Sequence, residues 1–131
     1  MPVPAGEPLT PTDHLRLERA VAVAERFSGL RFSIFVGLSE DDARLYAERL
    51  HAGLPDPDRS VLVMCDPALQ ALEIVTGAGT RRVLDDFDCR LAAASMQTSF
   101  AAGDIVGGLA TGVQQLGQSA RKPKTLHAAR R

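Results

Sequence analysis

"SVLVMCDPALQALEIVTGAG", residues 60–79, decides the fold. Residues 60–65 form a near-continuous apolar run, the pattern of a strand covered on both faces. Residues 71–76 (ALEIVT) form a second strand-like run, closed by Gly77-Ala78-Gly79. Asp66-Pro67-Ala68-Leu69-Gln70 lies between them, with a turn dipeptide near its start. That link is far shorter than the roughly dozen residues a parallel crossover requires. The two runs are therefore expected to pair as an antiparallel hairpin.

Upstream, the order of elements gives the hairpin a third strand. Thr10-Pro11-Thr12-Asp13 supplies an N-cap threonine, a proline at the first helical position and an acid three residues after the cap. Leu17, Val21, Ala24 and Phe27 mark the apolar stripe of that first helix, and Gly29 is its C-cap. Residues 30–36 (LRFSIFV) read as a strand. Ser39-Glu40-Asp41-Asp42 repeats the capping pattern and opens a second helix, whose face is Ala43, Tyr46, Ala47, Leu50 and Leu54. A helix between residues 30–36 and 60–65 makes those two strands parallel.

Downstream of the hairpin, residues 80–84 are expected to form a short helical piece. A longer helix follows, capped by Asp85-Asp86 or Asp88 and running through Phe87, Leu91, Ala94, Ser95 and Thr98 to about residue 102. Gly103 can end it in the left-handed conformation, and Asp104 can cap a last helix to about residue 118. The fold class is thus α/β: a small mixed sheet, a parallel pair plus an antiparallel hairpin, with helices on both faces. Gly107, Gly108 and Gly112 in the last helix read as a small-residue packing face, since each costs about 1 kcal/mol relative to alanine unless a close neighbour requires it.

The chain has 131 residues, enough for one domain with a single core. Residues 1–9 are expected to be a flexible arm, 10–119 the domain and 120–131 a basic tail. The formal charge of −1 is unevenly distributed: five of the 15 basic residues fall in 121–131, leaving 10 against 16 acids in the body. An acidic body does not draw nucleic acid to itself, so only the tail offers such a contact. Residues 1–11 show no signal-peptide pattern and no run is long enough to span a membrane, which places the domain in the cytoplasm by expectation. Cys65 and Cys89 lack metal spacing and read as free thiols, the first disfavoured as a nucleophile by its neighbour Asp66. His14, His51 and His127 have no metal spacing either and are expected on the surface. Neither a GxGxxG after a strand nor a GxxxxGK[ST] is present.

Several short motifs resemble TPM domains. Phe100-Ala101-Ala102-Gly103-Asp104 followed by Gly108-Leu109 and Gly112-Val113 is similar to that family's closing signature. The strand pair of residues 60–79 is similar to its hairpin, and the run from Gly79 to Asp86 to the segment after that hairpin. The opening, residues 9–37, resembles a mostly actinobacterial branch of uncharacterised TPM-related proteins. The resemblance implies a βαβ-type sandwich with helices on both faces. It also implies either a binding or assembly module acting on a protein partner or a metal-assisted phosphatase, with Ca²⁺ or Mg²⁺ as cofactor. Asp85, Asp86 and Asp104 match the family's acidic positions and become the expected cation ligands. Two departures stand out: the missing export signal, and Arg81-Arg82 where a glycine-leucine-acid sequence is usual.

Two other groups come from the residues themselves. Glu40, Asp41, Asp42 and Asp66 follow the ends of the two parallel strands, the edge where open α/β sheets bind ligands, and form an alternative acidic patch. Arg81 and Arg82 stand beside Asp85 and Asp86 and could form a salt network or receive an anion. No substrate or oligomeric state is legible.

Overall fold

The computed structural model describes residues 9–121. Most of the expected arm and most of the tail, His127 among it, lie outside these residues. Leu9, expected in the arm, packs against the core. The elements are α1 (Pro11–Ser28), β1 (Arg31–Val36), α2 (Ala43–Ala52), a 3-10 turn (Pro57–Arg59), β2 (Ser60–Asp66), β3 (Ala71–Thr76), α3 (Asp86–Ala101) and α4 (Ile105–Arg121).

The sheet has the order β1-β2-β3, with β1 parallel and β3 antiparallel to β2. Every residue of β2 is buried, as a central strand covered on both faces must be. One face, with Phe32, Val61, Val63 and Cys65, packs under α1, α3 and α4. The other, with Leu62, Met64 and Val75, packs under Ala47 and the rest of the expected α2 face. Gly77 N donates to Ser60 O at 3.1 Å, which fixes the phase of the ladder. The odd-numbered residues of β3 bond to β2, so the backbone groups of Leu72, Ile74 and Thr76 point out of the sheet edge.

Thr10 and Asp13 cap α1 reciprocally, and Gly29 ends it at φ 75°. Asp85 and Asp88 form the same box on α3. Gly103, at φ 88°, sits in the left-handed region after α3. Its N–H donates to Phe100 O and that of Asp104 to Ser99 O, closing the helix end.

Other expectations are corrected. Asp42, not Ser39, caps α2 by accepting from Leu45 N, because Ser39 is drawn away to Asp66. Residues 80–84 make one hydrogen-bonded turn on Thr80 O rather than a helix. Phe27 is 40% exposed, and Phe87 and Leu91 stand out from α3, which instead buries Ala92 and Met96.

Helix α4 is the middle of the helical layer. Cβ atoms at Gly108 and Gly112 would collide with Ser99 and Met96 of α3, and one at Gly117 would come within 2.8 Å of Ala24 Cα in α1. Gly107 has a different reason: a Cβ there would overlap the Asp104 carboxylate that caps its own helix.

Candidate functional site

The three acids expected to share a cation do not meet. Asp85 and Asp86 open α3, whereas Asp104 follows its far end. Sixteen residues of α-helix put about 24 Å between the two ends. Asp104 faces its own helix, accepting from Gly107 N at 2.9 Å. Among the described residues no group of three or more His, Cys, Asp or Glu could hold a metal ion.

The alternative acidic patch is taken up by structure. Asp42 caps α2 and Asp41 pairs with Arg49. Asp66 is 1% exposed. One of its oxygens accepts from Ser39 N at 2.8 Å and Ser39 Oγ at 2.7 Å. The other accepts from Ala68 N at 3.1 Å and Leu69 N at 3.3 Å. Burial alone would raise its pKa, but the bonds from Ser39, Leu69 and Ala68 outweigh it and hold the carboxyl below the usual range. Asp66 therefore bolts the loop after β1 to the turn after β2.

His51 is buried rather than exposed, at 8%. Its Nε2 lies 2.9 Å from Ser60 O, so that nitrogen carries the proton and donates to the carbonyl.

The groups that do converge lie along the edge of β3 that no strand pairs among the described residues. A cleft of about 560 Å³ runs between β3 and the first half of α3, with Leu72, Ile74, Cys89 and Ala93 as its apolar floor and Arg44, Arg81 and Arg90 at its rim. Glu73 and Asp86 also line it. A second cleft, about 350 Å³, continues the groove toward the end of α3, between Cys65 and Ala71 on one side and Gln97 and Phe100 on the other. A third, about 460 Å³, opens on the α2 side and again includes Arg44 and Arg81. These two arginines straddle the edge itself. Arg44 donates to Ile74 O at 3.0 Å and Arg81 to Thr76 O at 3.2 Å. Arg82 is exposed and does not line these clefts.

Arg81 was legible as an anion-binding candidate; Arg44 and Arg90 were not. Arg44 lies on α2, thirty residues before the carbonyl it reaches, and its only local signal is an i,i+4 pair with Glu48. The two thiols are poorly placed for nucleophilic attack. Burial, aided by Asp66 at Cys65 and by Asp88, Asp86 and Asp85 at Cys89, pushes each pKa up to about 11.

A family model described as a domain of unknown function, DUF5130, matches residues 2–117. The chain belongs to the DUF5130 family. This DUF5130 domain is 28% identical over 109 residues to uncharacterized protein Rv2468c of Mycobacterium tuberculosis strain H37Rv, a match over 83% of the chain. Protein MT2543 of strain CDC 1551 matches to the same extent. The domain spans only 65% of the length of these relatives. Among solved structures it is similar to the BA42 protein of Bizionia argentinensis, with a TM-score of 0.77 at 18% identity over 88% of this chain and 83% of that one. It is also similar to the N-terminal domain of cg2496 from Corynebacterium glutamicum, with a TM-score of 0.67 at 14% identity over 88% and 78%. At these identities the likeness is one of fold. Among the described residues no helix is long and apolar enough to cross a membrane.

Proposed function

We propose that this DUF5130 domain is a TPM-like binding module that holds an extended segment of a protein partner in the groove between β3 and α3. The observation that carries the reading is the edge of β3, unpaired among the described residues, where the outward backbone groups of Leu72, Ile74 and Thr76 border a groove with an apolar floor. Adding a strand to an exposed edge gives main-chain hydrogen bonds for affinity and side-chain pockets for specificity. A six-residue strand presents about 20 Å of such edge. The order of TPM-like motifs supports the same class, a binding or assembly domain. The alternative, a metal-assisted phosphatase, would require Asp85, Asp86 and Asp104 on one cation, and the length of α3 stands between the first two and the third.

Decapeptides selected from a random display library and titrated into ¹⁵N-labelled protein test the reading. Bound peptides are expected to shift Leu72, Ile74, Thr76, Cys89 and Ala93, and an Ala93→Trp variant, with the cleft filled, is expected to lose them. Peptides that bind elsewhere on the domain, or that bind Ala93→Trp unchanged, would refute it.

A further inference from the structure

We propose, resting on the reading of the β3–α3 groove as a strand-accepting site, that the segment it takes is acidic, with carboxylates alternating with apolar residues. Arg44 and Arg81 then pass from the carbonyls of β3 to those carboxylates.

The geometry of the edge leads to this sequence pattern. Arg44 holds Ile74 O and Arg81 holds Thr76 O, so the two guanidinium groups stand two residues apart along the strand, about 7 Å. They occupy two of the acceptors an incoming strand would use. An incoming segment must release them, and a segment carrying its own acceptors gives them somewhere to go. Alternate side chains of a strand point to opposite faces. On the α3 face they would meet Leu72, Ile74, Cys89 and Ala93, an apolar floor. On the α2 face they would meet Arg44 and Arg81, which also line the cleft on that side. Carboxylates at positions i and i+2 match the two guanidinium groups, and the intervening residues match the floor.

The competing groups are equally specific. Arg44 is shared with Glu48 at 3.1 Å and Glu73 at 3.3 Å, and Asp86 and Asp58 border the two clefts. Arg90 lies 6.0 Å over the Phe87 ring and adds a third cation to the rim. With Glu48 counted, the three guanidinium groups meet three carboxylates, Glu48, Glu73 and Asp86, so an incoming carboxylate binds by displacing Glu48 and Glu73 from Arg44 and by pairing with Arg81, which holds the Thr76 carbonyl. Ordinary edge protection also places charged side chains on open strands, and the test separates the two roles.

Fluorescence anisotropy with three labelled hexapeptides of one length provides it: Glu-Val-Glu-Ile-Glu-Val, its block scramble Glu-Glu-Glu-Val-Ile-Val, and Lys-Val-Lys-Ile-Lys-Val. The alternating acidic peptide should bind at least about tenfold tighter than the scramble, the scale of one charge-assisted hydrogen bond. Arg44→Gln with Arg81→Gln should erase that preference, and Glu73→Gln should tighten the acidic peptide by freeing Arg44. Amide hydrogen exchange at Leu72, Ile74 and Thr76 should slow in the complex. If the two acidic peptides bind equally and both slow those amides, the specificity proposal fails and the groove reading stands. If the lysine peptide is preferred, the proposal fails in sign. If no peptide slows those amides, both fail. If the double arginine variant only self-associates while wild type shows no preference, the arginines are edge protection and the proposal is overturned.

Discussion

Replacing Asp66 with asparagine tests whether one buried carboxylate joins the two loops at the C-terminal ends of β1 and β2. The carboxylate is 1% exposed, and each oxygen receives two hydrogen bonds, from Ser39 on one side and from Ala68 and Leu69 on the other. Asparagine keeps one acceptor oxygen and turns an NH₂ toward whichever donor pair it abandons. A hydrogen bond to a charged group contributes about 1.5–3 kcal/mol, and a buried donor left unpaired costs about 1–3 kcal/mol. Asp66→Asn should therefore lose about 2–4 kcal/mol, which for a domain of this size lowers Tm by about 10 °C. Ser39→Ala, which removes only the Oγ donor, should lose about 1 kcal/mol. Urea denaturation followed by circular dichroism gives these differences, with unchanged m values as the control. The pH dependence carries its own sign. The folded pKa of Asp66 lies below its unfolded value, which is about 3.9. Its stabilisation is fully present above the unfolded pKa and is lost as pH falls through the folded one. The gap between wild type and Asp66→Asn should hold constant from about pH 5 to 8 and narrow below about pH 4. A variant within about 0.5 kcal/mol of wild type, the usual scatter of surface substitutions, or a gap that widens on acidification, would refute the bolt.

Gly117→Ala should destabilise by about 2 kcal/mol in the same urea assay, because its Cβ would press on Ala24 backbone and only about 1 kcal/mol of helix propensity offsets the overpacking. Gly112→Ala should cost at least as much, since its Cβ would overlap Cγ as well as Cε of the buried Met96. Asp104→Ala should lose about 1 kcal/mol as a missing helix cap. Its Tm should respond to millimolar Ca²⁺ as wild type does; loss of a cation-induced rise in this variant alone would restore Asp104 as a ligand. At pH 8 both thiols should react with a disulfide reagent on the order of tenfold more slowly than free cysteine, because a pKa of about 11 cuts the thiolate fraction about a hundredfold while the more basic thiolate is about tenfold more nucleophilic. Labelling at the free-cysteine rate in the folded protein would contradict the burial of Cys65 and the raised pKa of both thiols.

Local chemistry carried most of the fold. The five-residue link after residue 65 left no room for a crossover, so β2 and β3 had to pair antiparallel. Thr10 with Asp13, and Asp85 with Asp88, announced helix starts through side chains three residues apart. Gly103-Asp104 announced a stop and a fresh start in the same way. Even the capping of α2 failed for a tertiary reason: Asp66 took Ser39, twenty-seven residues away, and left Asp42 to cap the helix.

The acids and arginines were a different matter. Asp85, Asp86 and Asp104 look like one set in a motif, yet a rigid helix of sixteen residues lies between them, and a motif read as a string does not register that length. Arg44 carries no signal of its own until α2 folds over the sheet and brings it to Ile74 O. His51 gives no sign of burial until α2 closes on the start of β2 and its Nε2 meets Ser60 O. The main helices and strands, the caps of α1 and α3 and the strand pairing were legible along the chain, because those depend on neighbours within a few residues. Only the tertiary structure decided which charges share a cleft and which are spent on caps, because charges separated by tens of residues meet through packing alone.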